Sequence, residues 1–263
     1  MFDGAVISSL SIVKYCKKPV DVYILTMDLT ERNKDYAPIT EAQREYIERI
    51  YKEVNAESEV RLIDLKEIYL DSVLDKRNEE TAYTPYAFLR LYADRLEFLP
   101  DKVLYLDTDT VLCGDISKLY EEDVSAYEFA AVRDRYGHWF FGWNYINTGV
   151  LLLNLKRIRQ TRLFPRALAL CAEKKLFLPD QTALNRLAKK KRILPRKYNE
   201  QKRERKDTLI RHFSMTIVWM PFHRQNVKPW HIDLVHEKLK THYYDDILND
   251  YLQRKPEFPE RES

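Results

Sequence analysis

An α/β fold, with a mostly parallel sheet covered by helices, is the class this 263-residue sequence predicts. Strand-like and helix-like runs alternate along the chain, the pattern of parallel strands joined by helices. The length is enough to bury a full core. The apolar run Val103-Leu104-Tyr105-Leu106 stops on two carboxylates, Asp107 and Asp109. Ligands of open α/β sheets bind beyond the carboxyl ends of strands. Residues i and i+2 of an extended segment point to one side, so both carboxylates converge on one object. A divalent cation or a phosphate-bearing substrate suits that arrangement. With 20 Asp in 263 residues, chance alone supplies one or two Asp-x-Asp pairs. Position, not spacing, raises this one above the background.

The elements follow in order. Ala5 to Cys16 reads as a helix and Val20 to Thr26 as a strand. Thr40 to Asn55 is an amphipathic helix capped by Thr40, with Ile47, Ile50, Tyr51 and Val54 on one face. Val60 to Leu65 is a strand, and Pro85 to Leu99 is a helix leading to the central strand 102–106. Phe129 to Val132 is a strand. Tyr145 to Leu155 is another, interrupted at Asn147-Thr148-Gly149. Arg157 to Lys175 is helical, a further helix starts at Pro179, and Leu209 to Phe213 is a short strand. Residues 1–235 are expected to form one domain. Residues 236–263 make a helical tail that frays into Pro- and Glu-rich sequence.

Composition narrows the function. Hydrophobic residues at 45% and charged residues at 32% are ordinary for a soluble domain. The net charge of +3, from 44 basic and 41 acidic residues, is too balanced to argue for nucleic acid. Cys16, Cys113 and Cys171 have no metal-ligand spacing and suit reduced thiols in the cytoplasm. No apolar run approaches the ~20 residues of a membrane span. Met1 to Val13 lacks the basic leader of a secretory signal. Membrane contact is therefore expected to be peripheral at most, at the inner face, through the basic segment 189–206. The first reading of that segment is a solvated loop or helix face, with docking of an anionic acceptor or membrane headgroups as the alternative. Five glycines form neither a Walker A loop nor a Gly-x-Gly-x-x-Gly turn.

After the Asp pair come Asn147-x-Gly149 opening an apolar strand, Asp180-Gln181, His212-Phe213 and Lys228-Pro229-Trp230. Together with Arg90-Leu91 before it, this order resembles glycosyltransferase family eight, the retaining family that includes glycogenin and bacterial lipopolysaccharide galactosyl- and glucosyltransferases. The resemblance runs from about Val6 to His231. It implies the GT-A nucleotide-diphospho-sugar transferase fold and a role in polysaccharide biosynthesis. The implied reaction is transfer of galactose or glucose from UDP-galactose or UDP-glucose to a saccharide or glycolipid acceptor.

The resemblance also implies roles for residues. Asp107, Asp109 and His212 correspond to metal ligands. Two carboxylates and an imidazole leave room for diphosphate oxygens and favour Mn²⁺, with Mg²⁺ as the alternative. Lys228 corresponds to a diphosphate-binding lysine and Arg90 to an arginine facing the donor. Asp134, Asn147, Asp180 and Gln181 match positions lining the sugar pocket, and Thr108 and Thr148 belong to the same donor-binding segments. Asp180 is expected to hold sugar hydroxyls, with Gln181 nearest the reacting carbon. His231 is an alternative ligand to His212. The aromatic run Trp139 to Tyr145 reads equally as packing and as an acceptor surface.

Two departures stand out. The family opens with a strand whose acidic end reads uracil and ribose, and that strand is expected to be missing here. The segment 214–227 is longer than its family counterpart and lacks glycine, so Lys228 needs a bulged loop to reach the diphosphate. His223 or Arg224 are substitutes for it. Two rival classes stay open. Leu104-Tyr105-Leu106-Asp107-Thr108-Asp109-Thr110-Val111 also fits the nucleophile strand of haloacid-dehalogenase phosphatases. A degenerate, non-catalytic binding protein is the other.

Overall fold

The computed structural model describes residues 2–72, 78, 84–219 and 222–255. Helix α1 (Phe2–Tyr15) leads to strand β1 (Asp21–Thr26), then α2 (Glu41–Lys52), β2 (Glu59–Asp64) and the short α3 (Lys66–Leu70). α2 begins at a capping box: the Thr40 hydroxyl accepts from the Gln43 amide, and the Gln43 side chain accepts from the Thr40 amide. Ile47, Ile50 and Tyr51 are buried as expected, whereas Val54 lies past the helix end and is exposed. A 3-10 helix, Pro85–Arg95, stands where an ordinary helix was expected.

Strands β3 (Lys102–Leu106) and β4 (Thr110–Leu112) flank the Asp pair. After them come α4 (Ser117–Tyr120), β5 (Phe129–Arg133), α5 (Gly137–Phe140) and β6 (Ile146–Asn154). The helix expected over 157–175 is two helices, α6 (Leu155–Thr161) and α7 (Leu163–Glu173). Arg162 separates them with a left-handed backbone, φ 53°. The chain continues through α8 (Pro179–Leu187), β7 (Lys191–Leu194), β8 (Ile210–His212), β9 (Thr216–Trp219) and β10 (Phe222–Gln225). It closes with α9 (Ile232–Leu239) and α10 (Asp245–Arg254).

The central sheet has the order β3-β6-β5-β7. β1–β2 and β5–β7 pair in parallel, as expected, but β6 is antiparallel to both β3 and β5. That reversal builds the site. Because β6 runs opposite to β3, its first residues lie beside the end of β3, and the Asp107 amide donates to the Gly149 carbonyl at 2.8 Å. β6 is one continuous strand, but its pairing with β5 shifts register between Ile146 and Leu151, so the expected interruption at Asn147-Thr148-Gly149 is a break in that ladder and not in the strand. β4 pairs antiparallel with β8, setting Thr110 opposite His212.

Helices cover both faces of the sheet, giving two apolar clusters. One gathers α1, α2 and alternate residues of β6 such as Val150 and Leu152. The other gathers the 3-10 helix, α7 and the opposite face of β6, Leu151 and Leu153. The boundary expected at residue 235 is not seen. It would cut α9, and Tyr244, Ile247, Leu248 and Tyr251 are buried in the first cluster. The Tyr251 hydroxyl reaches Asp3 of α1 at 2.5 Å. The "tail" through Lys255 is thus part of the core, because its amphipathic face is what covers α1. The expected Pro- and Glu-rich fraying, from 256 on, lies outside the described residues.

Candidate active site

The carboxyl end of β3 opens into a cavity of about 940 Å³, lined among others by Asp107, Asp109, Asn147, Gln181, His212 and Lys228. Asp109 is buried, and its carboxylate has two unlike neighbours. Lys228 Nζ lies 2.5 Å from Oδ2, and His212 Nε2 lies 3.1 Å from Oδ1. Burial opposes ionisation of Asp109, but the adjacent cationic groups, the Lys228 ammonium and the His212 ring when it is protonated, outweigh it and hold this carboxyl well below the usual range. Asp107 Oδ2 is 3.8 Å from the same His212 Nε2.

The imidazole is oriented from behind. His212 Nδ1 faces Asn147 Oδ1 at 3.1 Å and Asn199 Oδ1 at 3.3 Å. The amide groups are fixed by their other partners: Asn199 Nδ2 donates to Asn147 Oδ1, and Asn147 Nδ2 donates to Asp134 Oδ2 at 3.1 Å. Two acceptors at Nδ1 require the N–H there, so in the neutral ring Nε2 carries a lone pair. Nε2, Asp109 Oδ1 and Asp107 Oδ2 are then acceptors aimed at one point. Asp109 Oδ1 is indeed buried without a hydrogen-bond partner among the described residues, despite its short distance to His212. Converging lone pairs on a buried, orphaned carboxylate oxygen fit a divalent cation. The ligand atoms of Asp107, Asp109 and His212 lie within 4.8 Å of one another.

A second layer joins the metal end to a sugar-sized pocket. Arg90 is 3% exposed and does not sit on a helix surface. Its Nη2 donates to Asp107 Oδ1 at 2.9 Å, its Nε lies 3.4 Å from Asp180 Oδ2, and its Nη1 donates to the Thr148 carbonyl. Burial disfavours the Arg90 charge, yet the Asp107 and Asp180 carboxylates more than offset this and raise its pKa. Burial raises the Asp180 carboxyl, with Arg90 working against that rise. Asp180 Oδ2 also accepts from the Thr148 hydroxyl at 3.1 Å. Gln181 Nε2 donates to Asp134 Oδ2 at 3.2 Å, and its Oε1 accepts from Asn147 Nδ2 at 3.3 Å and the Thr148 amide at 3.2 Å. Thr108, by contrast, is exposed at the cavity rim.

The sequence-expected residues therefore meet in one place. The bulged loop expected over 214–227 is a β9–β10 hairpin, which absorbs the extra length and returns Lys228 to Asp109. His223 and Arg224 are exposed on that hairpin, and His231 is exposed and does not line the cavity. Asn199 was overlooked: it lies in the basic run yet is fully buried. An uncharged amide amid lysines and arginines was the available signal. A Cβ on Gly149 would lie 2.1 Å from His212 Cε1, so the glycine makes room for the ring. Among the described residues, His236, His242 and Asp245 form a second cluster of metal-ligand type, a surface tie between α9 and α10.

The fold around this site is that of GT-A glycosyltransferases. The profile of glycosyl transferase family 8 matches residues 2–233, and the chain belongs to that family. It is similar to glycosyltransferase GlyF of Streptococcus pneumoniae serotype 4, with 28% identity over 181 residues, covering 68% of this chain and 41% of GlyF. It is also similar to the lipopolysaccharide 1,2-glucosyltransferase of Escherichia coli K12, 31% identical over 183 residues, 62% of this chain and 54% of that protein. The chain thus spans about half the length of these curated relatives or less. In fold it is similar to the galactosyltransferase LgtC solved with donor and acceptor sugar analogues. The TM-score is 0.67 at 18% identity, covering 96% of each chain. An active-site mutant of LgtC gives 0.70 at 16% identity, over 95% of this chain and 92% of that one.

Proposed function

We propose that this chain is a retaining hexosyltransferase that moves galactose or glucose from a UDP-sugar to a saccharide or glycolipid acceptor. Asp107, Asp109 and His212 would hold Mn²⁺, or Mg²⁺ in its place. The observation that carries the reading is the orphaned Asp109 Oδ1, 3.1 Å from Nε2 of His212. When bound, the cation supplies Lewis-acid stabilisation of the departing diphosphate.

The other steps belong to side chains. Lys228, whose ammonium already donates to Asp109 Oδ2 and the Phe213 carbonyl at the cavity, would offer that ammonium to diphosphate oxygens. Arg90 bridges the Asp107 and Asp180 carboxylates and so fixes both ends of the pocket. Asp180, Asp134 and Asn147 offer acceptors and donors to sugar hydroxyls. Gln181 has no ionisable group, and Asp180 is engaged by Arg90 and Thr148. A retaining reaction without a free carboxylate nucleophile then proceeds on one face, with the leaving phosphate accepting the acceptor's proton. A Gln181→Glu variant that accumulated a glycosyl-enzyme in mass spectrometry would speak for double displacement.

The acceptor reading draws on the exposed aromatics Trp139, Phe140, Trp143 and Phe177, in the segments that follow the lining residue Tyr136 and precede the lining residue Leu178. Such faces suit sugar rings or a glycolipid surface. No helix among the described residues is long and apolar enough to cross a membrane. Exposed Lys189, Lys190, Lys202 and Arg203 favour peripheral contact with anionic headgroups at the cytoplasmic side of the inner membrane.

A screen of UDP-sugar hydrolysis with Mn²⁺ tests the proposal, with Asp109→Asn as the blank. Hydrolysis of one UDP-hexose that vanishes in the blank is the expected result. Mg²⁺-dependent cleavage of an aryl phosphate without UDP binding would overturn it in favour of a phosphatase. Absence of UDP binding at millimolar concentration would leave a binding protein.

A further inference from the structure

The turn between α9 and α10 gathers three side chains of metal-ligating type that share no residue with the Asp107 group. His236 lies in the last turn of α9, His242 in the connecting turn, and Asp245 in the first turn of α10. Lys240 ends α9 in a left-handed conformation, φ 54°, and sends the chain back. The two imidazoles are thereby stacked, with 4.3 Å between ring centroids and 27° between planes. Each presents one nitrogen to the same carboxylate. His236 Nε2 is 2.7 Å from Asp245 Oδ1, and His242 Nδ1 is 2.8 Å from Asp245 Oδ2.

Ion pairing alone accounts poorly for this group. One carboxylate carries one negative charge, and two imidazolium rings stacked this closely repel each other. Neutral rings avoid that repulsion. The opposite nitrogens, His236 Nδ1 and His242 Nε2, hydrogen-bond to no other described residue. The single proton of each neutral ring can sit there, which leaves lone pairs on the nitrogens that face Asp245. Two nitrogens and a carboxylate oxygen then converge, all within 4.8 Å of one another. A tetrahedral zinc ion sets its ligand atoms roughly 3.4 Å apart, a widening that a small swing of the exposed His242 ring supplies.

The turn is fixed from the inside. The Thr241 hydroxyl donates to Glu204 Oε1 at 2.6 Å, and the Tyr244 hydroxyl donates to Oε2 at 3.2 Å. The Tyr243 amide donates to Thr241 Oγ1 at 3.2 Å. Tyr244 is buried, its ring 5.3 Å from that of Phe213. Little ordering is then left for an ion to impose on the histidines. The His242 side chain is 72% exposed, which gives the ion a way in and water a place beside it.

We propose that His236, His242 and Asp245 bind one Zn²⁺ through the two imidazole nitrogens and a carboxylate oxygen, with water as the fourth ligand. A nitrogen-rich set selects Zn²⁺ and its late-transition neighbours over Mn²⁺ and Mg²⁺, which suit the more oxygen-rich Asp107 group. The ion would clamp α9 to α10. Because α10 is buried against the core and bonds to α1 through Tyr251, the clamp would stabilise the whole closing segment.

Zinc uptake by the tag-free protein tests the site, read by calorimetry and by thermal unfolding in Zn²⁺ and in chelator. Asp109→Asn serves as the parent, since it cripples the Asp107 group. It is expected to bind one equivalent of Zn²⁺ at micromolar concentration, with a higher Tm, and equimolar Mn²⁺ should not displace the zinc. Adding His242→Ala or His236→Gln should weaken zinc binding by ~ten-fold or more and abolish the gain in Tm. His242 is exposed, so its variant should melt close to the parent in chelator, which separates a lost site from a lost fold. Equal zinc binding with and without either histidine would overturn the proposal. So would a Tm that ignores zinc in the parent yet falls in chelator when a histidine is replaced, the mark of a hydrogen-bonded tie and nothing more. Neither result bears on the UDP-sugar reading, because the two groups have no residue in common.

Discussion

Gly149 and His212 are in such close approach that a single methyl group on the glycine would lie 2.1 Å from the imidazole Cε1 and 2.6 Å from Nδ1. Gly149→Ala should therefore push the ring off its asparagine partners while leaving β6 paired. Calorimetry should give a fall in Mn²⁺ affinity of roughly ten- to a hundred-fold, the range for disturbing a ligand's support. Unchanged affinity would mean that His212 is not a ligand.

Asn199 holds the same ring from the other side. Asn199→Ala should raise the Mn²⁺ concentration needed for half-maximal activity by about ten-fold or more, with kcat at saturating metal largely retained. Asn199→Asp also offers an acceptor at Nδ1, and should recover more of the metal affinity than the alanine variant. A purely structural residue would lower kcat and thermal stability without moving the metal requirement.

Arg90 is the buried cation between Asp107 and Asp180. Removing one member of a buried charge group leaves its partners uncompensated, at about 3–5 kcal/mol. Arg90→Ala should lose stability of that size in urea unfolding. Arg90→Lys should recover only part of it, since a point charge cannot reach both carboxylates and the Thr148 carbonyl at once.

Leu248 is buried in α10 against the main core. Leu248→Ala should cost about 2–5 kcal/mol and shift the whole unfolding transition, not a separate local one. A dispensable tail would instead leave the main transition where it was.

The thiols report on packing. Burial pushes the Cys171 and Cys113 thiols up to about 12. A raised pKa keeps the protonated, unreactive form through neutral and mildly alkaline pH, and the thiolate appears only as pH nears that value. At pH 8 both should react slowly with a thiol reagent in the native protein, and all three cysteines rapidly in denaturant.

Much of the site was readable from residues because its parts are local. A strand ending on Asp107 and Asp109, the cap at Thr40 and the sequence order of Asn147, Asp180-Gln181 and His212 need no knowledge of partners. Pairing is different. Periodicity reveals that β6 is a strand but not that it runs against β3, and the parallel expectation failed there. The left-handed Arg162, the hairpin that returns Lys228 and the burial of α10 depend on distant contacts, which local propensity does not encode. Gly149 shows the limit most clearly, since the reason for glycine sits 63 positions away in the chain at His212.

Asn147 touches Asp134, Gln181, Asn199, His212 and the amide of Gly149 through a single carboxamide. The pocket expected to choose the sugar and the ligands expected to hold the cation are thereby one thermodynamic unit. Substitutions at the two ends should be epistatic: a double-mutant cycle between Gln181 and His212 should miss additivity by about 0.5–3 kcal/mol. Exchanging one hexose for another would then take coordinated changes, because any single replacement that re-shapes the sugar end also re-tunes the metal.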